Sequence, residues 1–205
     1  MDQVAALQTL MLNDPLRRAA LEAVAALGLP DCWIGAGFVR DAVWDHLHGY
    51  AATAPKNDVD VVWYDAASPE ADRDHHIEQI LHDTMPGLPW SVKNQARMHH
   101  RNGDAPYASA ADAMRYWPET ATAVAVRIAP SGPVEVNAPL ELDDLFGLKL
   151  RPTPPFRTDK LPIFLDRVSS KCWMDRYPKL SLEIAVTGSG ESLRVRFPSL
   201  RAHQD

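Results

Sequence analysis

Apolar residues recur along the chain at two spacings, roughly 3.6 and 2, and the change from one to the other marks alternating helices and strands. Val4, Leu7, Leu10 and Met11 open with an amphipathic turn or two. Asp14-Pro15 then starts a helix that runs through Leu16, Ala20, Leu21, Val24 and Leu27 to Gly28, because a capping aspartate followed by proline is a strong start signal. Asp31-Cys32-Trp33-Ile34 reads as a short buried strand. From Phe38 to about Tyr50, Val39, Ala42, Val43 and Leu47 return to helical spacing, with Arg40, Asp41, Asp45, His46 and His48 on the other face. Asp58 to Tyr64 has period two, which sets Asp58 and Asp60 on one face and Val59 and Val61 on the other.

The second half continues the alternation. Ser68-Pro69 opens a helix reaching about Leu81, and Trp90 to Met98 reads as a strand whose polar face carries Lys93 and Arg97. Arg101 to Pro106 is a polar loop, and Ser109 to Asp112 has the form of a capping box for a short helix ending near Tyr116. Thr120 to Ile128 and Val134 to Asn137 read as strands joined by the turn Ala129-Pro130-Ser131-Gly132-Pro133. A short helix, Leu140 to Phe146, ends at Gly147. Pro152, Pro154 and Pro155 break the pattern, and a helical stretch from Leu161 to Trp173 follows, expected to pack against the sheet. Leu180 to Phe197 fits a hairpin around Thr187-Gly188-Ser189-Gly190. The whole predicts one domain over residues 1–205, with 152–205 as an extension packed on it. Its fold class is α/β (α+β): a mixed, largely antiparallel sheet flanked by helices.

Within this frame one stretch carries chemistry. Gly35-Ala36-Gly37 falls between a strand and a helix, where glycine permits a sharp turn and close approach of a ligand. Bare amides at a helix N-terminus, together with the helix dipole, favour a phosphate. One helix later, Asp58 and Asp60 repel each other across a single intervening residue unless a cation lies between them. Either feature alone is commonly just a tight turn or a solvated strand edge, but their order and spacing point to metal-dependent nucleotide chemistry.

These residues resemble the polymerase-beta-like nucleotidyltransferases, whose pattern is a glycine turn and helix followed by an Asp-x-Asp strand. A small bacterial nucleotidyltransferase-like family is closer still, with its Gly-Ala-Gly turn, Val-Trp-Asp helix and Asn-Asp-Val-Asp-Val strand. That similarity covers Trp33 to Arg151 and touches Lys171, Trp173 and Tyr177-Pro178. It implies transfer of a nucleoside monophosphate from an NTP to an acceptor, with Mg²⁺ or Mn²⁺ as cofactor and release of pyrophosphate. Asp58 and Asp60 would bind metal, and Gly35, Ala36 and Gly37, with Arg40, would bind the nucleotide. The superfamily also needs a third carboxylate on a neighbouring strand. Glu135, between two valines of a short strand, is the candidate; Asp143 and Asp144 are weaker ones. Ala36 departs from the usual Gly-Gly or Gly-Ser and removes a hydroxyl donor, and Asp41 stands where many members of the smaller family have Asn. The Arg-Arg-Asp-Phe-Thr and nucleotide-selecting motifs of CCA-adding enzymes have no counterpart, which argues against full tRNA nucleotidyltransferase activity.

Composition narrows the partners. A chain of 205 residues, 46% hydrophobic, can bury a substantial core. A net charge of −6 argues against a broad nucleic-acid surface, so a small molecule or a protein is the expected acceptor. The two cysteines, Cys32 and Cys172, have no metal spacing. His75, His76 and His82 spread around their helix and read as solvated rather than as a zinc site. His99 and His100, ahead of the polar loop, are candidate acids or bases that two-metal transfer seldom needs. With no leader-like or long apolar run, a cytoplasmic location and no membrane partner are expected. Two alternatives stay open: a non-catalytic nucleotide-binding or interaction protein of the same fold, and an antitoxin-like transferase that modifies a protein.

Overall fold

Five strands form the central sheet: β1 (Trp33–Gly35), β2 (Val59–Trp63), β3 (Trp90–Asn94), β4 (Ala125–Ile128) and β5 (Val134–Asn137), in the order β3-β2-β1-β4-β5. In this computed structural model residues 2–55, 57–68, 70–129, 132–185 and 192–195 are described. β1 runs antiparallel to both β2 and β4, β4 is antiparallel to β5, and only the β2–β3 pair is parallel. The fold is thus the mixed, largely antiparallel α/β arrangement that the sequence's resemblance to the polymerase-beta-like nucleotidyltransferases implies.

Period two assigns each face of the sheet. Ile34, Val59, Val61, Trp63, Val92 and Val126 point to one side and belong to the main core, all of them fully buried. Three helices cover that side: α1 (Gln3–Asn13) meets β5, α2 (Pro15–Ala25) meets β4, and α4 (Ala71–Thr84) meets β3. Asp14 caps α2 by accepting from the amides of Leu16 and Arg17 at 3.0 Å, so the helix starts at Pro15, as expected of that dipeptide. The opposite face carries Trp33, Gly35, Asp60, Val62, Ser91, Lys93 and Ala125, in register across four strands. A small cluster of Trp33, Val62, Ala110, Met114 and Ala125, with Trp117 packed on it, covers part of this second face beneath α6 (Ala110–Met114). The remainder is open.

Two expected strands are shorter than their alternation suggests. β3 stops at Asn94 because the Asn94 side chain accepts from the Ala96 amide at 3.0 Å and starts a 3₁₀ turn over Gln95–Arg97. Arg97 therefore leaves the face of Lys93 and binds the buried carboxylate of Asp74 at 2.5 Å. That carboxylate also accepts from the Trp63 indole at 2.8 Å and the Asn94 amide. Likewise Thr120–Thr122 is a 3₁₀ turn rather than the start of β4, with the Thr120 hydroxyl donating to Asp144 at 2.7 Å. α5 (Met98–Asn102) follows the first of these turns, and α7 (Asp143–Phe146) carries Asp144.

The C-terminal segment docks on α3 (Gly37–His48). α8 (Leu161–Ser170) leads to α9 (Trp173–Arg176), and Trp173 and Tyr177 pack edge-on against Trp44 of α3, with ring centroids 6.0 and 5.3 Å away. Such edge-to-face pairs add to plain burial. Asp45 fastens the segment by accepting from Tyr177 at 2.9 Å and from Arg176 at 2.8 Å. A second sheet has the order β6-β7-β8, with β6 (Lys149–Leu150), β7 (Ser181–Ala185) and β8 (Ser192–Val195). β7 and β8 are antiparallel, as a hairpin requires. The expected turn at Thr187-Gly188-Ser189-Gly190, like Pro69 and Pro130-Ser131, lies outside the described residues. No helix among the described residues is long and apolar enough to cross a membrane.

Candidate active site

The β1–α3 turn has a reason for each residue. Gly35 ends β1, and a Cβ there would lie 3.1 Å from both the Trp117 ring and the Val124 carbonyl. Its lack of a side chain thus serves packing against Trp117 and Val124. The turn itself is made at Ala36, at φ 52° and ψ −124°, a region that strains any residue with a Cβ. Ala36→Gly is expected to raise stability by about 1 kcal/mol and Gly35→Ala to lower it by about 2 kcal/mol, read from thermal melts. No side chain caps α3, so its first amides open onto the cavity beside Ala36 and Gly37.

That cavity, of about 180 Å³, also holds Asn57, Asp58 and Asp60. Asp58 is exposed just ahead of β2, and Asp60 is half-buried within it. Arg40, Arg167, Lys171 and Trp173 form the remaining wall. Two carboxylates and three cations therefore face one space at a helix N-terminus. Burial, and then the neighbouring Asp58, push the Asp60 carboxyl up to about 6, with Arg167, Arg40 and Lys171 pulling the other way. The cations compensate the acid pair only in part.

The two arginines differ in freedom. Arg40 is 3% exposed, bound to Asp41 through Nε at 2.9 Å and Nη2 at 2.7 Å and to Thr122 at 3.1 Å. It lies between the rings of Trp44 and Trp173, at 5.1 and 4.5 Å. Arg167 enters from α8; its Nε donates to Glu119, wholly buried, at 2.7 Å. That bond fixes the guanidinium plane and leaves both Nη groups for the cavity. Arg167 and Lys171 are the site residues that sequence reasoning did not assign. Their spacing of four at the end of an apolar helix was the available signal.

Glu135 does not join the aspartates. It shares a sheet face with Asp60, but β1 and β4 stand between β5 and β2. Three strand spacings make about 14 Å, far beyond any shared ligation sphere. Glu135 instead accepts from Arg127 at 2.6 Å, and Arg127 lies 4.1 Å over the Trp33 ring. Glu135→Ala is expected to leave nucleotide transfer within twofold of wild type and to alter stability by less than about 1 kcal/mol. Asp143 and Asp144 are engaged elsewhere, with Gln3 and with Thr120 and Arg151. The strand positions flanking Asp60 are Gly35 and Ser91. Among the described residues no trio of His, Cys, Asp or Glu is arranged to hold a metal.

A family model described as nucleotidyltransferase matches residues 22–182, the stretch that contains the glycine turn, Asp58, Asp60, Arg167 and Lys171. The chain belongs to the nucleotidyltransferase family. A solved NMR structure, described as revealing a CCA-adding enzyme head domain, is 29% identical with a TM-score of 0.78, covering 87% of this chain and 95% of that one. A CCA-adding enzyme in complex with CTP is 14% identical with a TM-score of 0.48, covering 85% of this chain and 49% of that one. A tRNA-processing enzyme in an apo form is 18% identical with a TM-score of 0.47, covering 78% and 41%. This chain thus spans about half or less of those two larger enzymes. No curated protein matches at a significant level.

Proposed function

We propose that this nucleotidyltransferase moves a nucleoside monophosphate from an NTP to a hydroxyl acceptor and releases pyrophosphate, in a reaction that requires Mg²⁺ or Mn²⁺. The observation that carries this reading is Asp58 and Asp60 facing Arg167, Lys171 and Arg40 across one cavity at the uncapped start of α3. The donor set suits a divalent cation of the Mg²⁺ class. Such ions are commonly held by one or two carboxylates, the rest of the shell being water and substrate phosphate, and here the acid pair is left under-compensated. Asp58 and Asp60 would hold it, and when bound it would neutralise charge on the phosphates and favour the ionised acceptor oxygen.

The chain's own groups have separable tasks. The α3 amides of Gly37 and Phe38, ahead of those that the Ala36 carbonyl accepts, would donate to phosphate oxygens. Arg167, planar and fixed by Glu119, supplies a forked donor as charge builds on the departing pyrophosphate, and Lys171 adds a point charge beside it. Arg40, clamped by Asp41 and two tryptophans, contributes field and anchors the turn rather than reaching out. Ser91, where a third carboxylate would flank Asp60, favours one second reading: capture of a metal–nucleotide complex without transfer. Pyrophosphate release from each of the four NTPs with Mg²⁺ and a cell extract tests the main reading. Release that stops on adding EDTA and resumes with excess Mg²⁺ is expected; Mg²⁺-dependent NTP binding without release would select the second.

A further inference from the structure

Asp60 and Arg167 belong to two cavities. Beside the first, and sharing Ala36, Asp60 and Arg167 with it, lies a second cavity of about 230 Å³ on the β3 side of β2. An acceptor there would meet the same carboxylate from the side away from the α3 amides. The two spaces therefore offer one compartment to the triphosphate and another to what it reacts with.

The lining of the second compartment selects among acceptors. Among the described residues its only carboxylate is Asp60, which the reading above commits to the cation, while Lys93 and Arg167 are both cationic. Lys93 is about one-third exposed; its ammonium donates to the Val92 carbonyl at 2.9 Å and stands 3.6 Å from Glu78. Glu78 in turn accepts from the Val92 amide at 2.9 Å, so its charge is shared. An amine-bearing acceptor would bring positive charge to this wall with no spare acid to meet it; an anionic one would meet Lys93 and Arg167. Trp117, braced against Gly35, is partly exposed and presents an aromatic surface with Met98 and Pro118, while Ser91 and Asn102 supply hydroxyl and amide groups. Aromatic and apolar surface interspersed with a few polar groups suits a sugar ring. The volume suits a single unit rather than a drug-sized ligand, for which pockets start at roughly 300 Å³.

We propose that this second cavity is the acceptor site, and that it takes a phosphorylated sugar, free or at the end of a nucleic-acid strand, in preference to an amino sugar or polyamine. The proposal rests on the transfer reading above. In the step, a sugar hydroxyl oxygen bonds to the α-phosphorus and the bond from that phosphorus to the oxygen bridging to the β-phosphorus breaks. Pyrophosphate leaves with the electron pair, and the hydroxyl proton passes to solvent.

The test measures pyrophosphate release with Mg²⁺ and each NTP on adding ribose 5-phosphate, ribose, kanamycin or a short oligoribonucleotide. Ribose 5-phosphate is expected to support release about tenfold better than ribose. Lys93→Gln should raise its KM about tenfold while leaving the NTP KM within twofold, and Lys93→Arg should restore the wild-type value. Stronger stimulation by the oligoribonucleotide would place the same phosphorylated sugar at a strand end. Kanamycin as the best acceptor, no preference for ribose 5-phosphate over ribose, or a preference untouched by Lys93→Gln would overturn the proposal. Should none of these compounds support release, the transfer reading is still decided by the cell-extract assay. Equilibrium dialysis of labelled ribose 5-phosphate with Mg²⁺ and NTP then decides: binding that weakens about tenfold in Lys93→Gln upholds the site, and no binding refutes it.

Discussion

Asp60→Asn is expected to reduce nucleotide transfer by at least about a thousandfold while making the metal-free protein more stable at neutral pH. The two effects have one origin. Asp60 is half-buried with Asp58 beside it, and its carboxyl titrates at about 6 in the fold against 3.8 when unperturbed. Between those values the native state binds more protons than the unfolded one, so stability is greatest below the unfolded value and falls as pH rises through about 6. Removing the charge removes that loss, worth on the order of 1 kcal/mol for a partly solvated group. For a chain of this length the melting temperature of Asp60→Asn should exceed that of wild type by about 2–4 °C at pH 7–8, and the two should converge near pH 4. Mg²⁺ with nucleotide should raise the melting temperature of wild type and not of the variant. Equal melting temperatures across the range would mean that the acid pair is not strained in the fold.

The second large effect is expected at Arg167. Among the described residues neither of its Nη groups has a hydrogen-bond partner while Nε is held by Glu119, and a charge-assisted hydrogen bond to such a group is worth about 1.5–3 kcal/mol. Arg167→Ala should therefore lower kcat/KM for the NTP by about 10- to 100-fold, and Arg167→Lys should recover only part because it lacks the planar fork. Glu119→Gln should show a milder version of the same defect: its amide still accepts from Nε but no longer fixes the guanidinium by charge. Glu119 is wholly buried, and among the described residues one of its carboxylate oxygens has no hydrogen-bond partner, so its charge is matched by Arg167 at Oε1. Steady-state kinetics with the NTP varied would read both; an Arg167→Ala enzyme with unchanged kcat/KM would remove α8 from the site.

The glycine turn, α3 and the Asp-x-Asp strand were legible in sequence because each rests on contacts within a few residues. A capped helix start at Pro15 and alternation from Val59 to Trp63 need no distant partner to be read. The rest of the site depends on distances that alternation does not contain. Period two correctly puts Glu135 on the face of Asp60 but says nothing of how many strands separate them, and strand order places β1 and β4 in between. Arg167 reaches the acids only because Trp173 and Tyr177 lock the C-terminal segment onto Trp44, more than a hundred positions earlier in the chain. That Gly35 packs against the ring of Trp117, some eighty residues on, was likewise beyond any local pattern. Side-chain bonds explain the shortened strands: a local cap at Asn94 turns the chain after β3, and a distant partner, Asp144, takes the Thr120 hydroxyl before β4 begins.

The roles assigned to Asp58, Asp60 and the cationic wall converge on one observable, movement of the α-phosphate. Wild type and Asp60→Asn should each be incubated with the four α-labelled NTPs, Mg²⁺ and a cell extract, and the label separated into small-molecule, protein and nucleic-acid fractions. Label leaving the NTP for an acceptor with wild type, and absent with Asp60→Asn, is the predicted result. Equal transfer by both proteins would contradict the assignment of Asp60, and no transfer by wild type with any NTP, despite metal-dependent binding, would contradict the enzyme itself.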